Sequence, residues 1–255
     1  MILEMKKVRK AFGGLVAVND VDMTIEKGII HSIIGPNGAG KTTFFNCITA
    51  LNPADSGQII LEGQEIQGLS THKICHLGIA RTFQNIRLFP YLSVLQNVLV
   101  GTHKQTKSGI LASVLRTPKF KNEEKEMVEF GMSLLQKIGL DHKHDTYARN
   151  LPYGEQRKLE IARAMASHPK ILLLDEPAAG MNTTETAGLD EFIRQLKEEG
   201  YTIILIEHDM KLVMSIADVI SVIDHGVKIA EGTAEVVQND ERVIEAYLGK
   251  RRDSA

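Results

Sequence analysis

The sequence predicts an α/β fold built around a parallel sheet, and three observations carry that expectation. Short, nearly continuous apolar runs of the kind that fit buried strands recur at Ile29–Ile34, Ile171–Leu174 and Thr202–Ile206. Segments with helical spacing of apolar residues lie between them. Glycines stand where those helical segments stop, at Gly139 and Gly200. Strands that alternate with helices in this way form a sheet covered by helices.

The N-terminal elements come first. Residues 1 to 30 alternate apolar and polar, as at Val16, Val18, Val21, Met23 and Ile25, which predicts half-buried strands. Ile29–Ile34 then runs into Gly35, and a helix-compatible segment comes next. From about 102 to 125 the chain carries Lys104, Lys107, Arg116, Lys119, Lys121 and Lys125 with few large apolar residues. That stretch reads as a surface insertion or loop. Glu123, Glu124 and Glu126 offset its charge, so a solvated face is expected rather than a lipid-binding patch. Met127, Phe130, Leu134, Leu135 and Ile138 share one helical face. Leu159, Ala162 and Met165 recur every three residues and predict another helix. Leu189, Phe192, Ile193 and Leu196 predict a third. Val219–Ile223, then Asp224-His225-Gly226, then Val227–Ala230 reads as a hairpin. Val243, Ile244, Tyr247 and Leu248 give a last short helix, and the tail KRRDSA is expected to fray.

Composition bounds the function. The chain has 255 residues, 43% hydrophobic and 24% charged, which suits one or two soluble globular domains. A formal net charge of -2 argues against a dedicated nucleic-acid binder. Two cysteines, Cys47 and Cys75, make no disulfide framework and point to a reducing compartment. The opening MILEMKKVRKAFGG has no apolar stretch of the secretory kind, and no run approaches the roughly twenty residues that span a bilayer. Work at a membrane would need a span supplied by another chain.

Gly35-Pro36-Asn37-Gly38-Ala39-Gly40-Lys41-Thr42 matches the spacing G-x-x-x-x-G-K-[ST] between a strand and a helix. Glycines let successive backbone N–H groups converge on phosphate oxygens, and the following helix N-terminus favours an anion. Lys41 would reach the β- and γ-phosphates and the Thr42 hydroxyl would ligate Mg²⁺, with Thr43 beside it. Ile171-Leu172-Leu173-Leu174-Asp175-Glu176 supplies the second element. Its apolar strand is expected to lie beside the first and to present Asp175 at its carboxyl end, where ligands bind in such sheets. Asp175 would hold the metal through its water shell, and Glu176 is placed to take a proton from attacking water.

Together these motifs resemble the ATP-binding subunit of ABC transporters, over nearly the whole chain. Gln84 in RTFQNIRLFP resembles the Q-loop. Leu151-Pro152-Tyr153-Gly154-Glu155-Gln156 resembles the signature motif LSGGQ. Ala178 to Asn182 takes the D-loop position, His208 in IEHDM resembles the switch histidine, and Phe12 in KAFGG stands where the family stacks an aromatic on adenine. RTFQNIRLF, YGEQRKLEIARAMA, DEPAAGMN and VIEAYLG resemble the branched-chain amino-acid importer branch.

The resemblance implies a P-loop ATPase with a mixed or parallel core sheet, an antiparallel β subdomain and a helical signature subdomain. It implies one cassette over 1–249. Residues 1–86 and 160–230 would form the nucleotide core and β subdomain, 87–159 the helical subdomain, 231–249 a C-terminal helical segment and 250–255 a tail. ATP and Mg²⁺ are the implied cofactors, with Thr42, Gln84 and Asp175 around the metal. Leu151 to Glu155 would face the nucleotide of a second ATPase subunit, a sibling or a second copy. Gln84 would link the γ-phosphate to the membrane subunits, and His208 would help Glu176 to position water. Two membrane permeases and, indirectly, an extracytoplasmic solute-binding protein complete the implied machine at the cytoplasmic face of the plasma membrane, with no nucleic acid. An importer of another small solute, such as an amide or urea, is the nearest alternative. A soluble ABC ATPase of DNA repair is a weaker one, because no long coiled coil separates Lys41 from Leu151.

Other residues read more plainly. His72 and His76 suit a surface helix rather than a metal pair, His142-Lys143-His144 a polar connector, and Cys47 a small buried apolar residue. Two positions depart from the family pattern. Asn182 stands where many relatives have Asp, and a modest effect is expected. Pro152 stands where the signature usually has Ser, and proline has neither a hydroxyl nor a backbone N–H. The partner nucleotide that this signature completes is therefore expected to turn over more slowly. Pro152→Ser should raise ATP turnover of the assembled transporter, and an unchanged rate would count against the idea.

Overall fold

A computed structural model of the chain describes residues 1–102 and 118–248. In chain order its elements are β1 (Leu3–Phe12), β2 (Leu15–Ile25), β3 (Ile30–Ile34), α1 (Lys41–Ile48), β4 (Ser56–Leu61), β5 (Gln64–Glu65), α2 (Thr71–Leu77), β6 (Ile79–Arg81), α3 (Val94–Gly101) and α4 (Pro118–Lys137). Then come α5 (Tyr153–Met165), β7 (Ile171–Asp175), α6 (Thr183–Glu198), β8 (Thr202–Ile206), α7 (Met210–Ile216), β9 (Val219–Asp224), β10 (Val227–Gly232), α8 (Ala234–Gln238) and α9 (Glu241–Leu248).

Two sheets organise the chain. The alternating N-terminal strands form an antiparallel sheet in the order β2-β1-β4-β5. The apolar strands form a mixed six-stranded sheet in the order β10-β9-β3-β8-β7-β6, parallel throughout except for the β9–β10 hairpin. Each central strand feeds two layers. Ile171 and Leu173 of β7, with Ile204 and Ile206 of β8, join the core that Phe44 and Phe45 of α1 fill. Leu172 and Leu174, with Ile203 and Leu205, join the core built by α5, α6 and the helical region. Burial on both faces explains why these strands read as continuous apolar runs.

One expectation changes. β7 does not lie beside β3, because β8 is inserted between them. All five residues of β8 are buried, so it suits the middle of the sheet better than an edge. The register then levels three strand ends: Ile33 pairs with Ile206, and Ile206 with Asp175. The segments that leave these three strands therefore emerge along one edge of the sheet.

The predicted insertion also changes. Residues 118–125 form the opening turns of α4 rather than a loop. Its remaining residues, 103–117, and the predicted tail lie outside the described residues. Among the described residues, no helix is long and apolar enough to cross a membrane. Cys47 is buried as expected, and burial pushes its thiol up to about 11.

His31 sits fully buried in β3, with Nε2 against the Ser221 hydroxyl at 2.8 Å, and the same hydroxyl donates to Glu231 at 2.7 Å. Burial lowers its pKa to about 4 although Glu231 pulls the other way. The fold therefore holds His31 neutral while the unfolded chain protonates it near 6.5. Stability from this group is full above pH 6.5 and is lost as pH falls toward 4. His31→Gln should remove about 2 kcal/mol of the stability loss that the native protein shows between about pH 6.5 and 5 in denaturant unfolding. Parallel curves for the two proteins would contradict it.

Candidate functional site

The phosphate loop is shaped by close backbone contacts. At Gly40, which has φ +100, a Cβ would stand 2.1 Å from the Ala17 carbonyl oxygen. At Gly35 it would stand 1.9 Å from that of Ile223. No larger residue fits either place, so β2 and β9 press the loop into its curve. The loop opens directly into α1, whose free N–H groups face outward at its start. Lys41 lies almost buried beneath the loop and donates to the carbonyls of Gly35 at 2.7 Å and Pro36 at 2.9 Å. Burial lowers its pKa, and Glu176 and then Asp175 oppose that shift.

A cleft of about 310 Å³ opens above this loop. Phe12 and Leu15 form one rim, the backbone from Asn37 through Gly38, Ala39 and Gly40 to Thr42 and Thr43 forms the floor, and Glu176 and His208 close the far end. Phe12 is nearly half exposed at the rim, with Lys10 Nζ 5.5 Å from the centre of its ring.

Three distant segments meet on one carboxylate. Glu176 follows β7 in a left-handed conformation, φ +47, fixed by its N–H donating to the Ile206 carbonyl at 2.8 Å. Its Oε2 accepts the Gln84 amide at 2.7 Å, and its Oε1 lies 2.7 Å from His208 Nε2. The left-handed conformation at Glu176 is uncommon for a residue other than glycine.

Asp175 is arranged differently. It is 2% exposed, and its Oδ2 accepts from Arg81 Nη2 at 2.6 Å. Arg81 also donates to Asn46 at 2.6 Å, and both Phe45 and Phe83 stack near its guanidinium. One carboxylate oxygen is thus committed to the protein, and Asp175 is not among the residues that line the cleft. A single hydroxyl from Thr42 plus one carboxylate suits Mg²⁺, which keeps several waters and takes its other ligands from substrate phosphates. Among the described residues no cluster of three His, Cys, Asp or Glu side chains forms a cage of its own.

Leu151, Pro152, Tyr153, Gly154 and Glu155 stand apart: none of them lines the cleft. Pro152 occupies the N-cap position of α5, with φ −54 and ψ 155, and supplies no side-chain cap. Glu155 accepts from Lys143 at 2.6 and 2.7 Å. Gly154 packs against Glu185, whose carboxylate in turn accepts the Asn182 N–H at 3.0 Å. Asn182 caps α6 by accepting from the N–H groups of Thr184 and Glu185, the hydrogen bonds an aspartate would make there.

Three residues of the site are not evident in the sequence. Arg81, Glu207 and Arg157 are buried polar side chains that lie in ordinary-looking segments. Glu207 is 4% exposed and accepts from the N–H of Ala178 at 2.7 Å and of His208 at 3.0 Å, tying the loop after Glu176 to the loop carrying His208. Burial raises its pKa despite those hydrogen bonds. For Arg81 and Glu207 the sequence sign is a charged residue at the end of an apolar run, at IAR and TIILIE.

A family model described as ABC transporter matches residues 18–179, and one described as branched-chain amino acid ATP-binding cassette transporter matches residues 227–253. The chain is 48% identical over 250 residues to the high-affinity branched-chain amino acid transport ATP-binding protein BraF of Pseudomonas aeruginosa, covering 98% of each. It is 46% identical over 250 residues to LivG of Escherichia coli K12, also covering 98% of each. Among solved structures, a nucleotide-free ATP-binding cassette from an ABC transporter superposes with TM-score 0.84 at 33% identity, covering 98% of this chain and 99% of that one. The ADP conformation of an ATP-binding cassette of an ABC transporter gives TM-score 0.85 at 34% identity, with the same coverage.

Arg81→Met would leave the Asp175 carboxylate buried without its cation, which costs roughly 3 kcal/mol. Denaturant unfolding should show that loss; a variant as stable as the native protein would show that Asp175 is not held by this pair.

Proposed function

Because the chain belongs to the ABC transporter ATPase family, we propose that it is the ATP-hydrolysing motor subunit of an importer for branched-chain amino acids. It works as a peripheral subunit at the cytoplasmic face of the plasma membrane, paired with a sibling ATPase subunit and bound to two permeases. An extracytoplasmic binding protein delivers the solute. The relatives' names and the C-terminal match support the solute class. The observation that carries the reaction is the meeting of Gln84 and His208 on Glu176, at the far end of a cleft floored by the phosphate loop.

The residues of the cleft, with Gln84 and Asp175 beside it, divide the work. Phe12 covers the adenine. Backbone N–H groups of the loop and the Lys41 ammonium receive the phosphates, so Lys41 exchanges its two carbonyl partners for phosphate oxygens. Thr42, Gln84 and Asp175 would hold Mg²⁺, which when bound neutralises charge on the β- and γ-phosphates. Glu176 takes the proton of the attacking water. Each of its oxygens has one donor in place and keeps a second lone pair for that water. His208, held by the same carboxylate, is poised to turn toward the γ-phosphate. The signature turn would serve the nucleotide of the other subunit, with the N-terminus of α5 directed at phosphate, and its place outside the lining of this cleft agrees with that reading.

An apolar groove of about 380 Å³ between α2 and the helical region supports permease docking. Leu51 and Val100 on its walls are each more than 40% exposed. Arg81 and Phe83 line the same groove, so a permease seated there would touch the partner of Asp175 directly.

Glu176→Gln should still bind ATP but lose most of its hydrolysis, on the order of a hundredfold or more. In cells, deletion of this chain should abolish high-affinity uptake of labelled leucine, and the Glu176→Gln protein should fail to restore it. Normal turnover in the variant would remove Glu176 from the base role, and undiminished uptake would overturn the solute.

A further inference from the structure

Arg157 heads the largest fully buried side chains of the described protein and is 0% exposed. A buried guanidinium must find its partners inside the fold. One is Glu160, a turn further along α5, which accepts from Nη1 at 2.9 Å. That pair alone would concern only the packing of a helix. The same guanidinium, however, donates Nη1 to the Phe83 carbonyl at 2.7 Å and Nη2 to the Gln84 carbonyl at 2.6 Å. The other oxygen of Glu160 accepts the Arg87 N–H at 3.0 Å. The start of α5 therefore grips the backbone of residues 83 to 87 at three points, and the segment gripped is the one whose Gln84 side chain reaches Glu176.

Stability does not account for this arrangement. A buried ion pair gives little or no net stabilisation over apolar residues of the same size. Arg157 Nε is also buried without a partner, which adds a cost. What the pair does supply is geometry. A planar fork engages two successive carbonyls at once, and a lysine ammonium could not reproduce that grip. Tyr153 of the signature turn adds its hydroxyl at 3.4 Å from Nη2.

We propose that Arg157 and Glu160 are positioning residues for hydrolysis: they fasten the Gln84 loop to the signature helix, so that the two move as one body. Gln84 then meets Glu176 in one nucleotide site in step with the signature turn that this chain presents to the other. The proposal rests on the pairing of two ATPase subunits put forward under the proposed function.

The test compares the assembled ATPase carrying Arg157→Lys with one carrying Arg157→Met together with Glu160→Met. The double variant removes the pair but leaves the Phe83 and Gln84 carbonyls and the Arg87 N–H without these partners, so its melting temperature should fall, and turnover is compared at a temperature where every variant is folded. The lysine variant keeps the charge and surrenders the fork. In both, nucleotide affinity of the purified chain, titrated with a fluorescent ATP analogue, should stay within about twofold. Turnover at saturating ATP should fall about tenfold. A merely structural role predicts native turnover in every variant that folds, and native kcat in either protein overturns the proposal. Glu176→Gln is the control. If it is inactive while the Arg157 variants run at the native rate, this inference alone falls; if it too runs at the native rate, the reading of the site falls as well.

Discussion

Glu176 leaves the end of a fully buried strand as a charged side chain, and a carboxylate in that place needs donors. It obtains one from each side: Gln84 from the segment after β6 and His208 from the segment after β8. His208 can reach it because the register of β3, β8 and β7 levels their ends along one edge of the sheet, and Gln84 follows β6, whose last residue Arg81 pairs with Leu173 on the other side of β7. The left-handed backbone at Glu176 turns its side chain out of the sheet, and the hydrogen bond from its N–H to Ile206 fixes that turn. Phosphate loop, acidic residue and histidine thus share a cleft because three strands end level and one carboxylate draws the loops together.

Around that point, charge is buried repeatedly, and each time the structure gives it a partner. Asp175 has Arg81, Glu207 has the backbone of the two loops beside Glu176, and Arg157 has Glu160 with two carbonyls. Such groups add little to stability, but they fix orientation, because a buried donor or acceptor that loses its partner is costly. They connect elements that are far apart in the chain. Through Arg81 the Asp175 carboxylate is joined to the apolar groove, and through Arg157 the Gln84 loop is joined to the start of α5.

Much of this was legible in the order of residues. The continuous apolar runs became the central strands, because a strand covered on both faces has no polar side to show. The spacing of the glycines and Lys41 placed a tight loop between strand and helix, and that of Asp175-Glu176 a strand end, and the structure has both, since few residues but glycine fit where β2 and β9 press on that loop. Asn182 also obeys a local rule, because its side chain caps the helix that begins at the next residue.

Tertiary structure alone decided the rest. That β8 separates β3 from β7 depends on which apolar run pairs with which, and runs of similar composition do not carry that information. That part of the expected insertion is the opening of α4 depends on the helix that continues beyond it. Arg81, Glu207 and Arg157 look like unremarkable polar residues in the chain, because their partners lie far away in sequence and only burial makes those partners obligatory. Local spacing records what a segment can do alone; pairing across the sheet and the satisfaction of buried charge exist only once the chain has closed.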